Sequence, residues 1–445
     1  MKSDICVERT ACRVCGSPDL RSVIDLDNQY IASAFFSEEV PEFLAQPYPL
    51  EVVRCASVDA CGLVQLRHTV SPRVLYHDYG YRSGTNEIMR RNLLEIVQRI
   101  ESVIDFKDGD IVLDIGCNDG TLLDSYQRRD LDRVGIDPSV NVAATARARG
   151  FHVEEDFFTA SVFQRARPGR KARVVTSIAM YYDLEAPHRF TADVKDVLAD
   201  DGVWVMELSY LPFMLERSSF DTICHEHLEY YSLRQIEWIL DRHDLEVQHV
   251  EFNNINGGSF RLIIRHKGFG NFPSTDRENL DRVRASEAIL ELGSDKPYAA
   301  FRTTVEKIRA DLTSLVRRIR DDRQLIYAYG ASTKGNTILQ YCGLDSTLIA
   351  KAADRNPEKW GKRTPGTNIP IVSESQARAE RPDYFLVLPW PFFSGFIERE
   401  REFLHGGGKF VLPLPQTRVV GTADLDAQPG QRRISDAGYI AHPRS

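Results

Sequence analysis

Residues 112–121 read VLDIGCNDGT, and this stretch decides the fold of the middle of the chain. An apolar strand runs into Asp114, a glycine-rich turn follows, and a helix begins at Thr121. In a doubly wound sheet, such a turn lies at the carboxyl ends of the strands, where ligands bind. The stretch therefore predicts a ligand-binding strand–turn–helix unit.

Strand and helix patterns alternate outward from this stretch. A helical pattern covers 86–104, and strand patterns follow at 133–137, 151–156, 174–180 and 202–208. Two helical stretches at about 275–292 and 298–320 connect to a second series, with strands at 324–330, 347–355, 383–390 and 409–415. Alternation of this kind predicts an α/β fold with parallel sheets covered by helices.

The glycine turn does not match the dinucleotide pattern. Its glycines stand at 116 and 120, whereas that pattern reads G-x-G-x-x-G. Asn118 takes the position of the middle glycine, and Asp119 adds a negative charge where a pyrophosphate would bind. An NAD-linked oxidoreductase is therefore disfavoured.

S-adenosylmethionine (SAM) fits this turn better than a dinucleotide, with neither the mismatch at Asn118 nor the repulsion at Asp119. Asp114 would meet its ammonium, Gly116 would let the backbone approach, and Asp137 would accept the ribose hydroxyls from the next strand end. Asp156 and Phe157, after the third strand, would take the adenine. One strand-end acid often only caps a helix, but three at successive strand ends indicate a class I methyltransferase domain. The predicted cofactor residues are Asp114, Gly116, Cys117, Asn118, Gly120, Asp137, Asp156 and Phe157.

Four N-terminal cysteines have the pattern of a metal site. Cys12 and Cys15 are two residues apart and precede Gly16, while Cys55 and Cys61 are separated by five residues rather than the usual two to four. A disulfide framework requires an oxidising compartment and usually a short secreted chain. We therefore predict a structural zinc site with four thiolates, and reduced, half-buried cysteines are the alternative.

Residues 220–232 read FDTICHEHLEYYS and place His225 and His227 around Glu226. Glu229 stands where the metalloprotease pattern H-E-x-x-H requires its second histidine, so zinc-protease chemistry is excluded. Histidine accepts protons near neutral pH, and a carboxylate partner raises its basicity. The segment predicts an acid–base site, and surface or structural histidines are the alternative.

Two further glycine turns are candidates for binding a phosphate. Residues 256–261 read NGGSFR, whose glycines allow close backbone approach and whose Arg261 offers a fork. Residues 330–337 read GASTKGNT, in which Asn336 takes the position of the P-loop lysine, so an ATPase is disfavoured. That strand–turn–helix still presents amides and Lys334 to a phosphate. Ordinary connecting turns are the alternative for both. The predicted substrate residues are Asn256, Gly257, Gly258, Arg261, Lys334 and Asn336.

Composition narrows the classes of protein. The chain has 445 residues, enough for about three domains at ~150 residues each. Its 56 Lys and Arg against 64 Asp and Glu give a net charge of −8, which does not favour a nucleic-acid partner. No run of about 18 apolar residues predicts a membrane span, and the N-terminus lacks the apolar stretch of a secretory signal. We expect a cytoplasmic protein.

Taken together, these segments resemble the sugar-nucleotide C-methyltransferases. The matching segments are CRVCG, DYGYRSGTNEIMRRN, DIGCNDGTLL, FDTICHEHLEYYS, NGGSFR, YGASTKGNTILQYCGL and DRNPEKWGKRTPGTNIPI. The resemblance implies a class I SAM-dependent, Rossmann-like methyltransferase core, a small N-terminal zinc-binding domain and a second, C-terminal Rossmann-like α/β domain. On this division the domains span 1–70, 71–265 and 266–445.

The resemblance also implies a reaction, the methylation of a carbon beside the ketone of a nucleoside-diphosphate 4-keto-6-deoxy sugar. The family's general base matches His227, with Glu226 as its support and Tyr79 lining the site. The ketone acidifies the adjacent C–H, the base removes the proton, and the enolate attacks the sulfonium methyl. Cys224 and Tyr181 depart from the family's pattern at positions expected to touch the sugar. The sugar, the nucleotide and the methylated carbon therefore stay open.

Three other interpretations remain at this point. The first is a methyltransferase for another ketone-bearing or acidic small molecule, the second is the NAD-linked oxidoreductase, and the third is a non-catalytic zinc scaffold. Binding of SAM but not NAD would separate these classes. In the leading interpretation the partner is a small molecule, and the sequence leaves the oligomeric state open.

Overall fold

A computed structural model describes residues 5–37, 41–57, 59–76, 82–270 and 274–426 of the chain. The chain forms two compact units. The first contains the chain up to Val23 together with Val52–Met214 and His225–Ser294. The second contains Ile24–Glu51, Leu215–Cys224 and the chain from Asp295 onward. The predicted boundaries at 70 and 265 stay a proposal.

The N-terminal part of the chain is built from short strands. They are β1 (Cys6–Glu8), β2 (Leu20–Gln29), β3 (Tyr48–Cys55), β4 (Val64–Leu66) and β5 (His68–Val70), followed by helix α1 (Pro72–Leu75). β1 pairs with β5, and β4 pairs with β3, both in antiparallel register. Antiparallel pairing lets short strands bring the two cysteine pairs together through tight turns.

The stretch of chain after α1 alternates strands and helices. Its elements are α2 (Glu87–Val103), β6 (Ile111–Ile115), α3 (Thr121–Ser125), β7 (Asp132–Ile136), α4 (Val140–Ala148), β8 (His152–Glu154), α5 (Ala160–Ala166), β9 (Ala172–Ile178), α6 (Pro187–Val197), β10 (Leu198–Ser209), α7 (Leu211–Glu216), β11 (Glu229–Tyr230), α8 (Leu233–Asp241), β12 (Leu245–Asn253), β13 (Ser259–His266) and α9 (Ser274–Ile289). Seven of the strands form one sheet in the order β12-β13-β10-β9-β6-β7-β8.

The order of this sheet positions the site. β6 lies between β7 and β9 and is parallel to both, so the chain leaves β6 in one direction and later returns on its other side. That arrangement makes the carboxyl ends of β6 and β9 a switch point, where open α/β sheets bind their ligands. β13 is antiparallel to β10, which completes the class I methyltransferase arrangement. The predicted fold class is confirmed.

Helix α2 covers one face of the sheet because its apolar residues recur at helical spacing. The Asn86 side chain accepts a hydrogen bond from the Ile88 amide, which caps the start of the helix. Its buried side chains, among them Leu93, Ile96 and Ile100, join the core cluster beneath the first strands. This packing fixes the segment that leads into α2 near the glycine turn.

The second unit contains another parallel sheet. Its C-terminal elements are α10 (Lys296–Asp321), β14 (Ile326–Tyr329), α11 (Thr333–Tyr341), β15 (Ala352–Asp354), β16 (Ile371–Ser373), α12 (Glu374–Ala379), β17 (Tyr384–Val387), α13 (Phe393–Arg399), α14 (Arg401–His405), β18 (Lys409–Leu412), β19 (Arg418–Val420) and α15 (Thr422–Asp426). The strand order is β16-β15-β14-β17-β18-β19, and only β19 is antiparallel to its neighbour. This is the 3-2-1-4-5-6 order of a Rossmann sheet, so the predicted second Rossmann-like domain is confirmed.

Among the residues described, no helix combines the length and the apolar character needed to cross a bilayer.

Candidate active site

The glycine turn after β6 has the backbone conformation that its residues predict. Gly116, Asn118 and Gly120 all have positive φ, at 71°, 51° and 77°. The Gly116 amide donates to the Ile136 carbonyl over 2.8 Å, which holds the turn against β7. The turn therefore presents backbone at the switch point of the sheet, as a cofactor cradle requires.

Asp114 stands at the end of β6 and is 4% exposed. The Thr176 hydroxyl donates to its Oδ1 over 2.6 Å. Burial raises the pKa of Asp114 to about 7, because the carboxylate loses its hydration. A cationic group beside Asp114 would favour its ionised form, and the ammonium of SAM provides such a group.

Asp137 closes the same turn from the end of β7. Its Oδ2 accepts from the Asn118 amide over 2.8 Å, and its Oδ1 accepts from the Ser139 amide over 2.9 Å. Burial raises the pKa of this carboxyl, while the two amide hydrogen bonds oppose that shift. Each oxygen keeps capacity for a further donor, so the predicted contact with ribose hydroxyls stays open to Asp137.

Asp156 and Phe157 follow β8 at the same edge of the sheet, and both are exposed. Asp156 Oδ1 accepts from the Phe157 amide over 2.9 Å, and its Oδ2 pairs with Arg165 at 3.0 Å. Phe157 is 41% exposed, which leaves its ring available to a planar base. The structure thus brings the three predicted acids to the ends of three neighbouring strands.

Cys117 and Gly120 pack closely against residues in the interior of the protein. Cys117 is buried in the core cluster, and a Cβ on Gly135 would lie 2.5 Å from its Sγ. A Cβ on Gly120 would lie 2.8 Å from the ring of Phe151. The side chain of Cys117 therefore packs against the sheet, and only its backbone can contribute to the predicted cofactor contact.

The segment before α2 is held directly to the cofactor turn. The Ser83 amide donates to Asn118 Oδ1 and the Gly84 amide donates to Asp119 Oδ2, both over 2.9 Å. The Thr121 hydroxyl donates to the other carboxylate oxygen of Asp119 over 2.6 Å. Asp119 therefore anchors a neighbouring segment, a role that the sequence analysis missed.

The His225–His227 segment is irregular and leads into β11. His225 and Glu226 are buried, at 1% and 5% exposure, whereas His227 is partly exposed. The His227 ring meets the Tyr182 ring edge-on, with centroids 4.6 Å apart. The Tyr76 hydroxyl donates to the backbone carbonyl of Glu226 over 3.4 Å. Of the two histidines, only His227 is partly exposed, and Tyr79 lies outside the described residues.

Tyr181 is a core residue, so the expectation that it touches the sugar is wrong. It is fully buried, and its hydroxyl lies 2.9 Å from the Thr191 hydroxyl. Its ring packs against Trp204 and Tyr231, with centroids 5.8 and 5.5 Å apart. Apolar packing takes Tyr181 inward, and the next residue in the chain faces His227 instead. Cys224 is buried as well.

Residues 256–258 form the expected turn between β12 and β13, with positive φ at all three positions. Arg261, farther along β13, is 6% exposed. Its Nε donates to Glu207 over 2.8 Å, its Nη2 donates to Asn92 over 2.9 Å, and its Nη1 pairs with Glu251. Two carboxylates thus form ion pairs with the guanidinium, and few of its N–H donors remain for a phosphate. These ion pairs disfavour the predicted phosphate contact of Arg261.

Glu207 is the centre of a buried polar network that the sequence analysis missed. It is 2% exposed near the end of β10, and its side chain accepts from Asn92 over 2.6 Å and from Asn253 over 2.9 Å. Its partners lie 115, 54 and 46 positions away in the chain. No local sequence pattern could have predicted that these residues contact one another. A glutamate inside the apolar run VWVMEL did indicate a buried carboxylate.

In the second unit, the turn after β14 carries the other predicted phosphate residues. Asn336 is fully buried and donates to the Ala32 carbonyl over 2.7 Å, so its amide holds a neighbouring segment. Lys334 is partly buried. Burial lowers the pKa of its ammonium, and the negative charge of Asp221 opposes that shift. Lys334 keeps the predicted substrate role more readily than Asn336.

The four cysteines lie together as predicted. Their sulfur atoms all lie within 4.8 Å of one another, with Cys12–Cys61 at 3.5 Å and Cys15–Cys55 at 3.4 Å. Tetrahedral zinc with bonds of about 2.3 Å places its sulfurs about 3.8 Å apart, so the set fits the ion. The longer second loop is closed by the Cys55 amide, which donates to the Leu63 carbonyl over 2.8 Å. Four thiolates give a closed structural site.

Comparison with known proteins identifies the family. The curated C-methyltransferase NovU of Streptomyces niveus is 32% identical over 413 residues, which cover 92% of this chain and 96% of NovU. The chain belongs to the C-methyltransferase family. Three family models match along this C-methyltransferase: a zinc binding domain at 12–76, a methyltransferase domain at 81–250 and a C-methyltransferase C-terminal domain at 254–415.

Solved methyltransferase structures also align with the C-methyltransferase. Magnesium protoporphyrin IX methyltransferase of Synechocystis, with bound SAM, is 13% identical and covers 43% of this chain and 88% of its own, with a TM-score of 0.31. The plantazolicin methyltransferase BpumL, with an analogue and S-adenosylhomocysteine, is 14% identical and covers 41% of this chain and 86% of its own, with a TM-score of 0.33.

The C-methyltransferase is therefore a SAM-dependent enzyme with an N-terminal zinc-binding domain. The donors present fit the cofactor, because two buried carboxylates and a positive-φ glycine turn meet at the switch point of its sheet. These findings exclude the oxidoreductase and scaffold interpretations.

Proposed function

We propose that this C-methyltransferase methylates the carbon beside the ketone of a nucleoside-diphosphate 4-keto-6-deoxy sugar. The observation that carries the substrate class is the second sheet in Rossmann order. Its first strand, β14, runs into a glycine turn, and its second strand, β15, ends in Asp354. A methyltransferase needs one such sheet to bind its cofactor. The second sheet would bind the nucleotide of a nucleotide-activated substrate.

The two sheets close their turns in the same way. In the second unit Asp354 Oδ2 accepts from the Ala331 amide over 2.8 Å. In the first unit Asp137 Oδ2 accepts from the Asn118 amide, also over 2.8 Å. A helix follows each turn, and Ser332 caps α11 by accepting from the Gly335 amide. This likeness supports nucleotide binding at both turns, with Lys334 as a cationic donor.

His227 is the proposed general base. Bound SAM supplies a methyl group on a positively charged sulfur. His227 accepts the proton from the carbon beside the ketone, and the enolate so formed takes the methyl group. Glu226 precedes His227 and is proposed to offset the charge that the protonated ring gains, and His225 and Tyr79 are proposed to complete the site. Positioning contributes much of the rate, because the carbanion must meet the methyl group at about 3 Å.

Asp114, Gly116, Asp137, Asp156 and Phe157 are proposed to hold the cofactor. Asp114 would pair with the ammonium, Asp137 would accept from the ribose, and Phe157 would lie against the adenine. The backbone of the turn, including that of Asn118, would line the rest. The cytoplasmic location expected from the sequence is part of the same proposal.

A substrate screen tests the proposal. Nucleoside-diphosphate 4-keto-6-deoxy sugars and the same keto sugars without nucleotide are incubated with methyl-labelled SAM. NMR then gives the position of the new methyl group. We expect a carbon-bound methyl beside the ketone, formed only from the nucleotide-linked sugars and not formed by His227→Ala. Methylation of oxygen, or equal turnover of the nucleotide-free ketones, would overturn the proposal in favour of another small acidic or ketone-bearing substrate.

A further inference from the structure

Arg13 stands between two of the zinc ligands, yet its guanidinium reaches away from them into the protein. Its side chain is fully buried. Nη1 donates to Gln65 Oε1 over 3.0 Å and to the Leu66 carbonyl over 2.6 Å. Nη2 donates to the Thr69 hydroxyl over 2.7 Å. The cysteine turn is thereby fixed to strand β4 and to the start of β5.

Strand β4 in turn holds the chain that follows His227. Gln65 and Glu229 are register partners in the antiparallel pair β4–β11, and the Leu66 amide donates to the Leu228 carbonyl over 2.8 Å. Glu229 is 1% exposed. Burial raises the pKa of its carboxyl group, and the positive charge of Arg13 opposes that shift. The arginine between the cysteines therefore holds strand β4, to which the two residues directly after His227 are paired.

The second cysteine pair makes an independent tie. Gln235 Nε2 donates to the carbonyls of Cys61 and Gly62, both over 3.3 Å. Its Oε1 accepts from the Ser232 amide over 2.9 Å and from the Ser232 hydroxyl over 2.6 Å. Gln235 is thus both the capping-box residue of α8 and a link to the zinc loop. The chain that follows His227 is held at two points, one from each cysteine pair.

We infer that the four-cysteine centre sets the position of His227, with Arg13 and Gln235 as its positioning residues. In this inference the zinc site does more than stabilise its own domain. Residues next to the zinc ligands are connected by hydrogen bonds, directly or through strand β4, to residues 228–235. The inference rests on the proposed function only where turnover is the readout. We expect loss of Arg13 or Gln235 to lower activity by about 10–100-fold, the range found when hydrogen-bonded supports around a metal site are lost.

Arg13→Met tests the inference, since it keeps all four thiolates and removes the buried fork. Arg21→Met is the matched control, because Arg21 lies in the same N-terminal region but pairs with Asp19 at the surface, with 55% of its side chain exposed. We expect one zinc per chain in both variants, with kcat about 10–100-fold lower for Arg13→Met alone. The KM for SAM stays unchanged, because the cofactor edge is built on other strands.

NMR of histidine labelled at Cε1 gives a readout that needs no turnover. His227→Ala assigns the resonance, and we expect it to shift in Arg13→Met but not in Arg21→Met. Arg13→Met/Glu229→Gln also removes the buried carboxyl group whose pKa the charge of Arg13 lowers, and it should fold with zinc bound, with the same shift and the same loss of kcat. Should neither variant fold, zinc is removed from the wild type, and the His227 resonance should move while S-adenosylhomocysteine still binds.

An unmoved His227 resonance with full kcat in a zinc-loaded Arg13 variant overturns the inference. So does an unmoved resonance after zinc removal. Failure of the proposed function looks different, because His227→Ala would then keep its turnover while the NMR shift in Arg13→Met persisted.

Discussion

At the residue scale, the proposed cofactor site depends on two buried carboxylates. Asp114 and Asp137 lie at neighbouring strand ends, and burial raises the pKa of each. A carboxyl group that is poorly hydrated gains most from a cation that enters beside it. The SAM ammonium would therefore bind most tightly to the ionised form of Asp114.

Cofactor binding should depend on pH through Asp114. Below its pKa of about 7 the carboxyl is protonated and must lose a proton when the cation binds, whereas above that value it is already charged. Affinity for S-adenosylhomocysteine should therefore rise from pH 6 to pH 8 and level off above. Asp114→Asn should weaken binding at pH 8 by roughly 10–100-fold and abolish the pH dependence. Calorimetric titration at both pH values measures this.

The matched control is Asp156→Asn at the exposed acid of the same edge. It should keep the rise in affinity between pH 6 and pH 8 that the wild type shows. A wild-type affinity that is flat over this range, or an Asp114→Asn variant that keeps the slope, would contradict the role of Asp114.

At the element scale, the glycine turn and the start of α2 behave as one piece. Asn118 and Asp119 accept from the Ser83 and Gly84 amides, and α2 carries this segment on its capped end. The helix packs into the core cluster under β6. The conformation of the cofactor turn therefore depends on a segment about 35 residues upstream.

Gly84→Ala should break this connection. Its Cβ would lie 2.7 Å from Asp119 Oδ2 and 2.9 Å from the Thr121 hydroxyl, so the segment must move away. We expect the free energy of unfolding to fall by about 1–3 kcal/mol, together with weaker binding of S-adenosylhomocysteine. Chemical denaturation and calorimetry measure the two effects.

Gly395→Ala is the control, because that glycine lies in α13 with open space around its Cβ position. It should leave cofactor binding unchanged and add about 0.5–1 kcal/mol of stability, since alanine favours a helix. Unchanged stability and binding in Gly84→Ala would show that the link between the turn and α2 contributes nothing to the free energy of unfolding or to cofactor binding.

At the scale of the whole molecule, the net charge of −8 poses a problem for an anionic substrate. Local donors must supply the attraction. Glu207 and Glu251 take up Arg261, so the proposed donors are Lys334 and the amides of the turn after β14. The second sheet is thus proposed to bind the substrate nucleotide, as the first is proposed to bind the cofactor.

The parts of this molecule that follow from sequence are those with local causes. The spacing of apolar residues predicts both strand–helix series, and the two cysteine pairs, Cys12 with Cys15 and Cys55 with Cys61, predict the four-cysteine site. The orientation of Cys117 into the core and the ion pairs of Arg261 could not be predicted. They depend on Gly135 and Glu207, which reach those residues only through the pairing of distant strands. The inward direction of Tyr181 likewise depends on distant residues, because its ring packs against Trp204 and Tyr231.

The most direct test of the central claim follows the proton that His227 is proposed to remove. With S-adenosylhomocysteine bound, methyl transfer cannot occur, and the keto sugar found in the screen is incubated in deuterium oxide. NMR should show deuterium entering at the carbon beside the ketone with the wild type and with His152→Gln, a change at an exposed histidine. His227→Gln should bind S-adenosylhomocysteine normally and exchange at least about 100-fold more slowly. Exchange at the wild-type rate in His227→Gln would show that His227 is not the base.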